Sequence, residues 1–210
     1  IFVVAIFFLI EVLVPSGAQA YEVSAKAAIF SNSTKVVRYY GKNVHTRVLP
    51  ASTVKVMTAL LALERLPLKK VVRASKRASL AQPSKLGIQP GEQFYVRDLL
   101  YAILLKSAND AAVVLAEAVA GSEWEFVQLM NKRARELGCK NTHFANPNGL
   151  PTKAQQYTTP YDMYLIFRAA LKQPFFKAAL RKRSHSISSL AGRQFHLRSH
   201  NKILFFDWKN

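Results

Sequence analysis

An α+β domain is predicted by the order of local signals along the chain. Alternating apolar residues near the start read as strands, a block of helical periodicities follows, and a polar segment from Ser184 to Leu204 again has the pattern of a β-hairpin. Half of the 210 residues are hydrophobic and 20% are charged. That is enough apolar surface to offset the entropy of ordering, and it excludes a disordered basic tail. A single cysteine, Cys139, excludes a disulfide framework and a multi-cysteine zinc site, and beside Gly138 it reads as a small buried apolar residue. One domain, or at most two, fits this length, with roughly 70% of the unfolded surface buried.

Val23, Ala25, Ala27 and Ile29 alternate with mostly polar residues, Ser31-Asn32-Ser33-Thr34 makes a turn, and Val36 to Tyr40 returns, which predicts a hairpin. Val54, Met57 and Leu61 recur at helical spacing between Pro50 and Pro67, so a helix begins at or just before Ser52. Gln89-Pro90-Gly91-Glu92 is a turn signal, Gln93 to Val96 a short strand, and Asp98 is placed to cap the apolar run behind it. Ala111 to Val119 is helical and ends at Gly121. Ser122 and Glu125 form a capping box for the next helix, which Gly138 closes. Thr159, Pro160 and Asp162 open another, with Met163, Ile166, Phe167, Ala170 and Leu171 on one stripe and Pro174 as its stop.

Residues 1–20 stand apart from this pattern. Their apolar run ends in Pro15-Ser16-Gly17, with small residues at Ala18 and Ala20, the form of a signal-peptide core and its cleavage site. Ile1 to Val14 is shorter than the roughly 20 residues of a membrane span and contains Glu11, which argues against an anchor. No basic residue precedes the run, so the start of the leader is expected to be missing. Export to the periplasm or cell-wall space is the expectation, with Tyr21 as the new N-terminus.

The charge is one-sided: 30 Lys and Arg against 12 Asp and Glu, or +18, and 30 against 11, or +19, once the leader is removed. Nine basic residues and no acid lie between Met163 and Phe206, and the run from Arg65 to Lys85, both included, holds seven more basic residues. In an exported protein such runs favour anionic wall polymers or the outer face of the cytoplasmic membrane over nucleic acid. His185, His196 and His200 lack a neighbouring carboxylate or cysteine in the sequence, so no metal is expected, and no cofactor.

Two groups of residues carry candidate chemistry. In Pro50-Ala51-Ser52-Thr53-Val54-Lys55, Ser52 and Lys55 stand three apart, which on a helix puts an amine within reach of a hydroxyl. A lysine becomes a useful base near neutral pH only if its surroundings lower its pKa, and a serine at a helix N-terminus has free N-H groups nearby for a developing oxyanion. A capping serine beside a solvated lysine has the same spacing. In Lys106-Ser107-Ala108-Asn109-Asp110, a hydroxyl and an amide lie at the junction of two apolar helices, placed to relay a proton and hold a substrate amide, or simply to cap those helices. Ser199-His200-Asn201 shows how readily the tripeptide occurs, but it lacks that rigid helical context.

Together with IQPGEQFYVRDLLYAILLKSANDAAVVLAEAVAGS, FVQLMNKRARELGCKNTHFANPNGLP and YTTPYDMYLIF, in that order, these residues resemble the serine D-alanyl-D-alanine carboxypeptidases, the low-molecular-mass penicillin-binding proteins of peptidoglycan biosynthesis and cell wall organization. The resemblance runs from about Ala27 to Lys202. It implies a β-lactamase-like α+β fold, an antiparallel sheet flanked by helices, with residues 21–210 as its catalytic domain. It maps a nucleophile onto Ser52, a general base onto Lys55, a proton relay onto Ser107 and a positioning, substrate-binding amide onto Asn109. The implied substrates are peptidoglycan stem peptides ending in D-Ala-D-Ala, and the implied inhibitors are β-lactams.

The family's third motif, Lys-Thr-Gly on a strand that binds the substrate carboxylate, is expected roughly a hundred residues after the second. It is not among these 210 residues; Lys85-Leu86-Gly87 precedes Ser107 and lacks the hydroxyl. The chain thus reads as a catalytic domain cut before its last strands. A β-lactamase is a weaker reading, since residues 140–160 hold no acid to serve as deacylating base, and a non-catalytic wall-binding protein is the reading from another class. If the surplus charge attracts anionic stem peptides, high salt should lower kcat/KM on them several-fold. An unchanged kcat/KM removes that attraction.

Overall fold

The computed structural model describes residues 23–32 and 37–205. The segment read as a leader and the middle of the first turn lie outside them. β1 (Ala28–Ser31) and β2 (Arg38–Lys42) pair antiparallel, with Ala28 opposite Lys42 and Phe30 opposite Tyr40. The expected hairpin is there, shorter than the alternation from Val23 suggests. A 3-10 turn over Ala51–Val54 runs into α1 (Lys55–Arg65), so the helix expected at Ser52 starts as a tighter coil. Then come β3 (Val71–Arg73), α2 (Lys76–Ser79) and β4 (Gln93–Tyr95), which returns to pair with β3, placing Val72 opposite Phe94.

β4 leads directly into α3 (Val96–Leu105), and α4 (Asn109–Ala120) and α5 (Glu123–Glu136) follow. Every residue of α4 from Ala111 to Ala116 is buried, the signature of a helix enclosed on all sides. It packs against α1, α2, α3 and α5. Gly121 ends α4 at φ 82°, a left-handed conformation that costs a glycine little. The Ser122 hydroxyl then accepts from the Glu125 N-H at 3.1 Å to start α5. Thr159 caps α6 (Pro160–Ala170) in the same way through the Asp162 N-H, and Met163, Ile166 and Ala170 form its buried stripe.

α7 (Pro174–Ala179) precedes β5 (Ser184–Ser188) and β6 (Gln194–Arg198), an antiparallel hairpin with Ile187 opposite Phe195. Its inner face carries buried Ile187 and Leu197 against α3, and Phe195 stacks on Phe94 at 5.8 Å. Among the described residues the strands form three separate two-stranded antiparallel sheets, so the architecture is α+β with its sheet content divided among three ladders.

Three local expectations change. Asp98 does not cap α3: the strand enters the helix without a loop, Tyr95 takes the cap position, and Asp98 sits in the first turn beside Arg97, 3.6 Å away. Pro174 does not merely stop a helix, because its fixed φ and missing N-H suit the first position of α7. β3 and α2 lie where only a basic run is evident in the sequence.

One buried carboxylate ties the start of α4 to the segment before β4. Asp110, fully buried, accepts from the backbone N-H groups of Leu86, Gly87 and Ile88 at 3.1, 2.8 and 3.1 Å. An anion in the first turn of α4 also faces the positive end of the helix dipole. Asp110→Ala leaves three N-H groups without their acceptor, at about 1–3 kcal/mol for each that stays dry. Thermal unfolding should show a midpoint lowered by roughly 5–10 °C, and an unchanged midpoint would mean that water replaces the carboxylate.

Candidate active site

The 3-10 turn is what brings Ser52 and Lys55 together. With three residues per turn, side chains at i and i+3 eclipse, and Lys55 Nζ lies 3.2 Å from Ser52 Oγ. Ala51, just before the serine, is held at φ 45°, a left-handed conformation that costs a residue with a Cβ about 1–2 kcal/mol. Lys55 is only 3% exposed, and none of the described ion pairs gives it a carboxylate. Burial lowers its pKa from the ordinary 10.5 to about 8. At pH 7 roughly a tenth of such an amine is neutral, several hundredfold more than for a solvated lysine.

The second partner of Lys55 is a main-chain atom that the motifs do not reveal. Its Nζ donates to the Asn148 carbonyl at 2.7 Å, across 93 residues of sequence. The carbonyl belongs to a turn that bonds to itself: Asn146 Oδ1 accepts from the Gly149 N-H at 2.7 Å, and Asn146 Nδ2 donates to the Leu150 carbonyl at 2.8 Å. Gly149, at φ 82°, lies so close to Ala51 that a Cβ there would fall on the Ala51 carbonyl and 3.1 Å from Ser52 N. Asn-Pro-Asn-Gly is a turn signal in sequence, but nothing in it says that the turn faces a lysine.

Ser107 and Asn109 occupy the junction of α3 and α4, both of which pack against α1. Ser107 sits at φ 58°, and its hydroxyl takes part in none of the described hydrogen bonds. Asn109 is 3% exposed, and its Nδ2 donates to the Gln82 carbonyl at 2.9 Å while its N-H donates to Ser84 O at 2.7 Å. No described hydrogen bond joins this pair to Ser52 or Lys55. The Lys55 amine donates to the Asn148 carbonyl instead, and the Asn109 donor ties down the 82–84 loop. A cavity of about 270 Å³ lined by Leu49, Ala51, Gly149, Thr152 and Gln156 adjoins the backbone beside Ser52.

Among the described residues no three His, Cys, Asp or Glu side chains gather as a metal site. His185 lies against the Tyr101 ring at 3.9 Å, and His196 Nδ1 lies 3.1 Å from Ser186 Oγ. Cys139 is buried, and desolvation raises its pKa to about 12, so it is a poor nucleophile. The close approach at Gly149 is testable against a glycine with similar φ but open surroundings. Gly149→Ala should displace the Ala51–Ser52 peptide and slow acylation of the serine by a β-lactam at least roughly tenfold. Gly121→Ala, with nothing within 4 Å of an added Cβ, should cost only about 1–2 kcal/mol of stability, that of a Cβ at positive φ. Equal acylation rates in the two variants would deny the packing a role.

With this geometry in view, comparison with known proteins gives a consistent result. Residues 14–209 match the D-alanyl-D-alanine carboxypeptidase family. The D-alanyl-D-alanine carboxypeptidase DacF of Bacillus subtilis is 42% identical over 158 residues, 73% of this chain and 40% of that protein. DacB2 of Mycobacterium tuberculosis is 38% identical over 137 residues, 65% of this chain and 47% of that protein. The chain thus spans under half the length of these curated relatives. Among solved structures, a D-alanyl-D-alanine carboxypeptidase from Mycobacterium tuberculosis superposes with a TM-score of 0.84 at 31% identity, covering 91% of this chain and 72% of that one. A Streptomyces DD-transpeptidase does so with a TM-score of 0.81 at 28% identity, covering 87% and 76%. A penicillin-binding-protein fold built around a desolvated serine-lysine pair, with a family match over nearly its whole length, makes this chain a member of the D-alanyl-D-alanine carboxypeptidase family.

Proposed function

We propose that this chain carries the acyl-transfer machinery of a serine D-Ala-D-Ala carboxypeptidase that trims peptidoglycan stem peptides. The observation that carries the reading is the 3.2 Å contact of a nearly unexposed, carboxylate-free Lys55 with Ser52. Neutral Lys55 takes the proton as Ser52 Oγ attacks the carbonyl between the two terminal D-alanines, and the charge that develops on oxygen faces the N-H groups at the start of the 3-10 turn. Collapse of the tetrahedral intermediate breaks the peptide bond. Free D-alanine leaves with a proton passed through Ser107, and water then hydrolyses the acyl-enzyme. With its Nδ2 held by the Gln82 carbonyl, Asn109 at the start of α4 accepts the substrate amide N-H at its Oδ1. A β-lactam presents a similar carbonyl, acylates Ser52 and stays because its leaving group remains tethered.

The reaction takes place outside the cytoplasm, in the periplasm or cell-wall space, where the substrate is found, and contributes to cell-wall organization and cell shape. The leader-like residues 1–20 support that placement. No described helix is long and apolar enough to cross a membrane. Contact with the outer face of the cytoplasmic membrane rests on the basic runs, whose charge suits anionic lipid and wall polymer alike.

Fluorescent penicillin tests the assignment on the full-length protein. Covalent labelling is expected, with complete loss in Ser52→Ala; a label that survives this change sinks the reading. Because the neutral amine is the active form, the labelling rate should rise about tenfold per pH unit below 8 and level off above it. A rate flat from pH 6 to 9 would remove Lys55 as the base.

A further inference from the structure

A base must also be aimed. A neutral amine carries two N-H bonds and one lone pair, and only the lone pair can take a proton from Ser52. The Asn148 carbonyl can only accept, so the 2.7 Å contact with Lys55 Nζ requires one N-H to point away from the serine. With that bond made, rotation about the Nζ bond is restricted and the lone pair can face Ser52 Oγ. Where the carbonyl sits therefore selects the productive orientation of the base.

Beside the Asn148 side chain, whose Oδ1 accepts from the Leu150 N-H at 3.1 Å, two further side chains hold that carbonyl in place, and neither touches the reacting atoms. Asn146 staples the turn by bonding both the Gly149 N-H and the Leu150 carbonyl. Thr58, fully buried on α1 and one turn beyond Lys55, donates its hydroxyl to the Pro147 carbonyl at 2.6 Å. Residues 55 and 58 of one helix thus grip the consecutive carbonyls of Asn148 and Pro147. A single hydrogen bond would leave the turn free to pivot. Two bonds from one rigid helix face, with an internal staple, leave it one arrangement.

We infer that Thr58 and Asn146 are positioning residues for Lys55, locking the 146–150 turn so that its Asn148 carbonyl orients the amine toward Ser52. The inference rests on the carboxypeptidase reading for its chemistry, but the orientation of Lys55 can be read without turnover. A carbonyl acceptor also favours the ammonium form, so losing it should move the Lys55 titration to lower pH, while the misaimed base slows acylation. A packing role alone would change neither.

The test compares Thr58→Val, which keeps the shape and removes the hydroxyl, Thr58→Ser, which keeps the hydroxyl, and Asn146→Ala, all in the full-length protein. Fluorescent-penicillin acylation rates across pH are measured alongside carbon NMR titration of the Lys55 ε-carbon. Thr58→Val and Asn146→Ala should acylate about tenfold more slowly at pH 7, with the Lys55 titration lowered by about half a pH unit. Thr58→Ser should recover both. If Thr58→Val and Asn146→Ala acylate and titrate like the parent, even with a lower thermal midpoint, the positioning role is overturned. If the parent fails to label with penicillin while the Lys55 titration still shifts as expected, the carboxypeptidase reading fails and the positioning of Lys55 stands.

Discussion

The rest of the structure is arranged around a buried amine without a counter-ion. Lowering the Lys55 pKa from 10.5 to about 8 corresponds to a cost on the order of 3 kcal/mol for keeping it charged in the fold. Because the folded-state value lies below the ordinary one, the penalty is present at pH 7 and relaxes as pH rises from about 8 toward 10.5. A carboxylate partner would remove the cost, and with it the neutral amine that the site requires near pH 7. The surroundings offer neutral oxygen instead, one hydroxyl and one carbonyl. These satisfy the N-H groups without restoring the ordinary pKa.

Keeping such a group in place takes rigidity, and the structure obtains it from backbone conformations that only tertiary packing can hold. Two of the three non-glycine residues at positive φ among those described are Ala51, beside the Ser52–Lys55 pair, and Ser107, a member of the second pair. Each costs about 1–3 kcal/mol, and each is held by neighbours: Gly149 packs against Ala51, and the Asn109 and Asp110 hydrogen bonds fasten the start of α4, next to Ser107, to the 82–88 segment. The all-buried face of α4 ties these parts to α1, so the nucleophile turn and the Ser107 junction share one core.

The acids of this basic chain follow the same economy of placement. Glu92 pairs with Arg193 across 101 residues, Glu64 with Arg133, and Glu123 with Arg77, each joining separate parts of the chain. Asp162, buried, accepts from the Asn141 N-H and the Thr142 hydroxyl and fixes the segment leading to the 146–150 turn. The described acids are thus largely engaged in ties within the fold, and the surplus of Lys and Arg remains as surface charge.

Much of this was legible in the chain itself, where the signals are local. The Ser52–Lys55 spacing, the Ser122 and Thr159 caps, the Gly121 stop and the two hairpins depend on residues within a few positions of one another, and the periodicities report them directly. The order of strands, helices and hairpin determined the α+β class. Only the tertiary structure decided the surroundings of the base. Every residue has a carbonyl, so nothing in the letters marks that of Asn148 as the partner of a lysine 93 residues earlier. The resemblance makes Asn109 a positioning amide, yet its Nδ2 donates to the Gln82 carbonyl and no described hydrogen bond joins it to Ser52 or Lys55. The pairing of β3 with β4, across the intervening α2, is likewise a tertiary contact that no local turn signal marks. Local chemistry sets which residues can act, while desolvation and orientation arise from contacts between distant segments and exist only once the chain has folded.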